Sequence, residues 1–219
     1  MVSTKSVQMG RCRMKIRNIV FDMGGVLIKW DPAYYVRRLG LKDAADNALL
    51  LRHTYGSPVW QQMDWGTANE IDVYNYACTQ LPERLHDAAH ALVFDWINPL
   101  ELIDGMEELV RQFKAMGYGV YLLSNASFRQ KEYWPRIPES EVFDGRVVSA
   151  EVGVVKPHAA IYEKLLKTYD LQPETCVFID DMPINVVGAI NAGMHGIMFD
   201  GDVERLRRIL KLMLVEIGE

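Results

Sequence analysis

Short apolar runs, each closing on or beside a polar residue and each followed by a stretch long enough for helix, dictate the architecture of this 219-residue chain. Runs rich in β-branched residues fall at Asn18–Asp22, Gly119–Ser124, Arg146–Ala150, Val177–Asp180 and Gly196–Phe199. Met106, Leu109, Val110, Phe113 and Met116 then recur at helical spacing ahead of Gly117, a good residue to end a helix. Ile161, Leu165 and Leu166 share a face after Pro157, which is placed to open that helix, and Asn185–Ala192 stops at Gly193. Leu206, Ile209, Leu210 and Met213 mark a last helix over Val203–Ile217. Strand and helix in alternation build a parallel sheet, so the expected class is α/β: a Rossmann-like parallel sheet with helices on both faces.

The first βα unit is interrupted. About a hundred residues separate Asp22 from the run at Gly119, far more than a simple crossover uses. Tyr34–Leu51, Val59–Met63, Asn69–Leu81 and Glu83–Ile97 read as helical, with Thr67 and Glu70 as a capping-box pair and Pro82 ending the third helix. The economical division is an N-terminal tail over 1–15, a core domain over 16–32 and 99–219, and a small helical cap over 33–98 inserted after the first strand. Met14 is an alternative start. Tyr34, Tyr35, Trp60, Trp65, Tyr74 and Tyr76 enrich the cap in aromatic rings, most of them needed to close so small a layer, some free to stack on a ligand.

Charge and cysteine usage narrow the function. With 24 basic against 29 acidic residues and a formal charge of −5, the chain lacks the basic face that phosphate backbones require, so no nucleic-acid partner is expected. Cys12, Cys78 and Cys176 are few, odd in number and far apart, which fits a reducing cytoplasm and excludes a disulfide framework; Cys78 and Cys176 read as buried small hydrophobes. Apolar stretches stay well below the roughly 18 residues that span a bilayer, and Met1–Lys15 has no apolar segment of a signal peptide, so no membrane partner is expected. His86 and His90 stand four apart without the HExxH glutamate and read as a solvated cap helix; His158 and His195 read as surface or strand-end residues. No pattern fixes an oligomeric state.

In open parallel sheets, ligands sit at the carboxyl ends of strands near a switch in strand order, and the polar residues of this chain collect there. The first run ends in Phe21-Asp22-Met23-Gly24-Gly25-Val26-Leu27, a carboxylate followed by glycines that let backbone amides approach a ligand. The second ends in Leu123-Ser124-Asn125. Gly153-Val154-Val155-Lys156-Pro157 precedes a helix, and Phe178-Ile179-Asp180-Asp181-Met182-Pro183-Ile184-Asn185 closes the fourth. A carboxylate, a hydroxyl, an ammonium and a carboxylate pair converge from four segments.

These four motifs, in order from Ile16 to the C-terminal helix, resemble those of the haloacid dehalogenase superfamily, in particular capped phosphatases similar to sugar-phosphate phosphatases and the N-terminal phosphatase domain of soluble epoxide hydrolases. The resemblance implies Asp22 as nucleophile and Ser124 and Lys156 as phosphate-binding groups, joined by backbone amides of Met23, Gly24 and Asn125. It implies Mg²⁺ held by Asp22, Asp181 and the Gly24 carbonyl, with Asp180 and Asn185 supporting from behind. Elementary charge balance agrees: a carboxylate attacking a dianionic phosphate needs a hard dication and an ammonium between them. The expected activity is hydrolysis of a small phosphorylated metabolite, a sugar phosphate by the resemblance, through an aspartyl-phosphate.

One position departs from the pattern. Phosphatases of this family carry a second aspartate two residues after the nucleophile as general acid and base, and here that residue is Gly24. Losing such help costs on the order of 10²–10⁴ in rate, least for substrates with good leaving groups such as an aldose 1-phosphate. Asp31 is the nearest downstream acid; capping the helix at Pro32 is its alternative role. Two other functions compete: a 2-haloacid dehalogenase, opposed by the Asp180-Asp181 pair, and a non-catalytic binding protein, motivated by Gly24.

Overall fold

A computed structural model describes residues 16–216; the tail expected over 1–15, with Cys12 and Met14, lies outside the described residues, as do 217–219. Strands β1 (Asn18–Phe21), β2 (Gly119–Ser124), β3 (Gly145–Val148), β4 (Cys176–Asp180) and β5 (His195–Met198) form one parallel sheet in the order β3-β2-β1-β4-β5. Phe21 lies opposite both Leu122 and Ile179, so β1, β2 and β4 end side by side. The chain leaves β1 toward β2 on one side and returns to its other side with β4, which makes the tip of β1 the switch point of the sheet.

Successive side chains of a strand face opposite ways, and the core divides accordingly. Ile19 and Phe21 join Leu122 and Ile179 against α6 (Met106–Ala115) and α11 (Val203–Glu216). Val20 joins Leu123 and Phe178 against α9 (Ala159–Thr168) and α10 (Pro183–Asn191). The expected α/β class with helices on both faces is what the chain adopts. Among the described residues no helix is long and apolar enough to cross a membrane.

Between β1 and β2 the chain inserts α1 (Pro32–Arg38), α2 (Ala44–His53), α3 (Pro58–Asp64), α4 (Glu70–Gln80) and α5 (His86–His90), the last continuing into a π-helical turn at Ala91–Asp95. The helix expected over Tyr34–Leu51 is two helices, because Asp43 caps a new start by accepting from the Ala45 amide. The capping box belongs to Asn69 and Asp72, not Thr67 and Glu70: Asn69 accepts from the Ile71 and Asp72 amides while Asp72 accepts from Asn69. After β2 comes the short α7 (Gln130–Tyr133), and the third strand stops at Val148, where Ser149 accepts from the Ala126 amide and opens the turn α8 (Ser149–Val152). Helix α9 starts two residues past Pro157, after a turn closed by His158 N–H to the Val155 carbonyl. Cys176 is buried as expected, but Cys78 is half-buried.

The insert's two connections run side by side. Ile28 pairs antiparallel with Leu102, the Lys29 amide donates to the Glu101 carbonyl at 2.9 Å, and Ile103 donates to Leu27 at 3.1 Å. Glu101 also accepts from the Tyr34 hydroxyl at 2.7 Å and pairs with Arg38. Farther along, Gly66 sits at φ +72° with its Cα turned to the Ala150 carbonyl, and a Cβ there would fall 2.4 Å from that oxygen. Because α3 is seated on α8 through this approach, Gly66→Ala should destabilise the protein by on the order of 1–3 kcal/mol. Chemical denaturation followed by tryptophan fluorescence measures it, and a midpoint equal to wild type would show that the insert does not depend on this contact.

Candidate active site

Asp22 follows the last residue of β1 with its amide still donating to Ile179 at 2.9 Å, so the sheet itself aims this carboxyl group. Its Oδ1 accepts from the Met23 amide at 2.7 Å and from Lys156 Nζ at 2.8 Å; its Oδ2 has no donor among the described residues. Lys156 Nζ also donates to Asp180 Oδ2 at 2.7 Å and lies 5.2 Å from the centre of the Phe178 ring. Lys156 reaches this place because Asn125 clamps its backbone: the Lys156 amide donates to Asn125 Oδ1 at 2.8 Å, and Asn125 Nδ2 returns a bond to the Lys156 carbonyl. Asp180 is fully buried, and the Met182 amide and Asn185 Nδ2 also donate to it.

Asp181, next in the chain, accepts no hydrogen bond from another of the described residues, and carboxylate oxygens of Asp22, Asp180 and Asp181 lie within 4.8 Å of one another. Gly25, at φ +75°, leaves room for it: a Cβ on Gly25 would fall 2.4 Å from the Asp181 carboxyl carbon. Three carboxylates thus face one ammonium. Burial pushes the Asp22 carboxyl up to about 8, with Lys156 pulling it down and Asp180 adding to the rise. Burial also raises Asp181, helped by Asp180. For Lys156, burial opposes the charge, but the two adjacent carboxylates outweigh it and hold the ammonium above its ordinary value.

A cavity of about 220 Å³ opens over this cluster, its walls including Asp22, Gly24, Asn125, Lys156, Asp181 and Asn185. Met23 lines it as well. Ser124 does not: it is buried at the end of β2, and its hydroxyl makes one long contact, 3.5 Å, to the Asn125 carbonyl. Asp31 is also absent from the walls; it caps α1 by accepting from Tyr34 and pairs with Arg37. Gly24 has an ordinary backbone conformation, and a Cβ on it would meet Trp30 at 3.4 Å. A side chain at position 24 would thus begin in ordinary van der Waals contact with Trp30.

Trp30 is the hub of an aromatic cluster that the sequence did not assemble. It stacks on Trp60 with ring centres 5.7 Å apart and meets Trp96 edge-on at 4.9 Å and Tyr55 at 5.5 Å. Trp30, Trp60 and Trp96, with Ile28 and Met63, form the cavity roof. Of the cap aromatics singled out in the sequence, Trp60 lines the cavity while Trp65 packs against His158 outside it. Asp64, Glu70, Ser127, Arg129 and Tyr133, with Ala126 and Met182, complete the wall, and nothing in the sequence marks any of them as lining a cavity.

Fold and site together define a hydrolase centre at a sheet switch point, roofed by an inserted helical layer. The family model for haloacid dehalogenase-like hydrolases matches residues 16–193, and the chain belongs to that family. It is 31% identical over 185 residues to a sesquiterpene phosphatase of Aspergillus oryzae, a match covering 81% of this chain and 87% of that one. A HAD-like family hydrolase of Porphyromonas gingivalis superposes with a TM-score of 0.68 at 25% identity, over 91% of this chain and 98% of the other. A HAD family enzyme of Bacteroides thetaiotaomicron, solved with magnesium and inorganic phosphate, superposes at 0.65 with 20% identity, over 87% and 98%.

The charge imbalance has a measurable consequence without metal. A carboxyl group whose folded pKa stands above its unfolded value of 3.8 stabilises the fold at low pH and ceases to do so as pH rises toward about 8. In EDTA at pH 8, Asp22→Asn should therefore melt at a higher temperature than wild type, with the gap closing toward pH 4. A variant that melts lower at pH 8 would contradict the electrostatic account of the site.

Proposed function

We propose that this chain is a Mg²⁺-dependent phosphatase that hydrolyses a small phosphorylated metabolite through an aspartyl-phosphate on Asp22. The observation that carries the reading is the Asp22 carboxylate itself, with Oδ1 fixed by the Met23 amide and Lys156 and Oδ2 without a donor, beside Asp181 in a cavity sized for a small molecule. Attack by Oδ2 on phosphorus displaces the alcohol, and water then hydrolyses the acyl phosphate. Lys156 neutralises a phosphoryl oxygen while keeping the Asp22 rotamer. Backbone amides of Met23, Gly24 and Asn125 donate to the others, while the Ser124 hydroxyl stays buried behind the cavity wall. Asp180 and Asn185 hold Lys156 and the β4 tip in place.

The donor set suits a hard cation: all oxygen, clustered, and carrying more negative charge than Lys156 cancels. Asp22, Asp181 and the Gly24 carbonyl would hold Mg²⁺, and Asp180, whose oxygens are already hydrogen-bonded, would orient rather than ligate. When bound, the ion offsets the repulsion between the carboxylate and the phosphoryl group. The residues assigned to the cap, 33–98, keep bulk water from the acyl phosphate and choose the alcohol.

Two classes of alcohol are open, a sugar and an apolar skeleton, and the cavity favours the second. Its roof is three indoles, Ile28 and Met63, and several polar side chains of the wall are engaged with protein groups: Ser127 donates to Glu70 at 2.8 Å, and Arg129 donates to the Val93 and Phe94 carbonyls. Similarity to a sesquiterpene phosphatase supports the same choice. The sugar reading rests on ring stacking against Trp30 or Trp60.

Turnover of a panel of prenyl, aryl and sugar phosphates with and without Mg²⁺ tests both levels. Asp22→Asn should abolish turnover and acyl-phosphate accumulation, and EDTA should stop the wild type until Mg²⁺ is returned. Trp60→Ala should lower kcat/KM for prenyl esters by about tenfold or more relative to sugar esters. Hydrolysis surviving Asp22→Asn would refute the nucleophile; a uniform loss across the panel would refute the apolar pocket.

A further inference from the structure

The insert delivers one carboxyl group to the cavity in an environment that ordinary stability would not select. Asp64 is the last residue of α3, and Trp60, Met63 and Asp64, spaced three and four apart, all line the cavity roof. An acid at a helix C-terminus faces the negative end of the helix dipole, and no basic residue sits in the last turn of α3 to compensate. Among the described residues, Asp64 accepts no hydrogen bond and forms no ion pair, whereas Glu70, the other acid the insert brings to the wall, is bonded to Ser127. Asp181 likewise has no donor from another of the described residues, but it belongs to the acidic cluster around Asp22. The helix dipole and the apolar roof both favour the neutral acid, and burial pushes the Asp64 carboxyl up to about 7, with Lys156 acting against the rise. Position 24 has no side chain, and Trp30 occupies the space beside it.

Resting on the phosphatase reading above, we infer that Asp64, supplied by the inserted helices, is the proton donor to the departing alcohol oxygen. As Asp22 Oδ2 bonds to phosphorus, the phosphorus–oxygen bond to the alcohol breaks, and that oxygen takes the proton of the Asp64 carboxyl. The alcohol leaves neutral and Asp64 is left ionised. In the second half, water attacks phosphorus, its proton passes to Asp64, and the bond to Asp22 breaks to release inorganic phosphate. Each cycle returns Asp64 protonated and Asp22 ionised. A donor placed in the roof also explains how the chain dispenses with an acid on the β1 loop: the apolar substrate that the indoles enclose brings its ester oxygen beneath α3.

The test compares first-turnover release of alcohol from two esters by the full-length, Mg²⁺-supplied protein, 2-phenylethyl phosphate with a poor leaving group and 4-nitrophenyl phosphate with a good one. Asp64→Asn keeps shape and removes the proton. It should slow phenylethanol release on the order of 10²–10⁴-fold but nitrophenol release by less than about tenfold, and then accumulate phosphoenzyme. Asp64→Glu, which restores an acid on a longer arm, should regain part of the phenylethanol rate. Equal losses on both esters would make Asp64 a packing residue and overturn the assignment, as would no loss on either. A wild-type protein silent on both esters would remove the phosphatase reading and this role with it, whereas a wild type active on both and matched by Asp64→Asn would remove only this role.

Discussion

One ammonium organises the site. Lys156 Nζ lies between Asp22 and Asp180 at 2.8 and 2.7 Å, almost wholly removed from water. Burying a charge is costly, and breaking a buried pair leaves an uncompensated ion that costs more, so this arrangement holds only while every partner stays in place. The partners come from β1, β4 and the segment ahead of α9, and Asn125 ties in the tip of β2. The ion pair thus fixes the four segments relative to one another at the edge of the sheet where their backbone pairing has just ended. What remains of the negative charge is the property that makes the centre useful.

The insert is part of the same solid as the sheet. Tyr35, Leu50, Tyr55, Leu92 and Trp96 belong to one continuous apolar cluster with Ile19, Phe21 and Leu122. Arg129, from the segment after β2, reaches across to the carbonyls that the π-helical turn leaves free at Val93 and Phe94, and Arg136 does the same at Ile97. Such wide turns expose carbonyls that a regular helix would bond internally, and here guanidinium groups satisfy them. The roof of the cavity is consequently positioned from the core side as well as from its own helices.

Much of this architecture is legible in the sequence. The parallel sheet follows from strand runs and long connections, although its order does not, and the polar segments pointed to one another because a parallel sheet places such residues on one edge. Lys156 stands within ion-pair distance of both Asp22 and Asp180. Local side-chain bonds were harder to read: Thr67 and Glu70 fit a capping-box pattern as well as Asn69 and Asp72 do, and only the backbone decides which pair closes. Ser124 shows the opposite limit, since period-two alternation alone does not say how far a hydroxyl at a strand end stands from a cavity wall. Trp30, Trp96 and Asp64 were illegible for a different reason. They lie far apart in sequence, on elements whose faces point at each other only after the insert has folded back, and no spacing rule spans that distance.

The paired connections at Ile28 and Leu102 bear on how such a chain diversifies. Because the insert departs and returns through neighbouring backbone, joined by main-chain bonds and braced by Glu101, its ends are already closed when the sheet is formed. Loop-closure entropy rises only slowly with length, so lengthening or exchanging the material between these two points costs the sheet little. Heredity can therefore treat the stretch as a cassette: the reaction stays written in three strand tips and the lysine-bearing segment while the vocabulary of accepted alcohols is rewritten from a single insertion point.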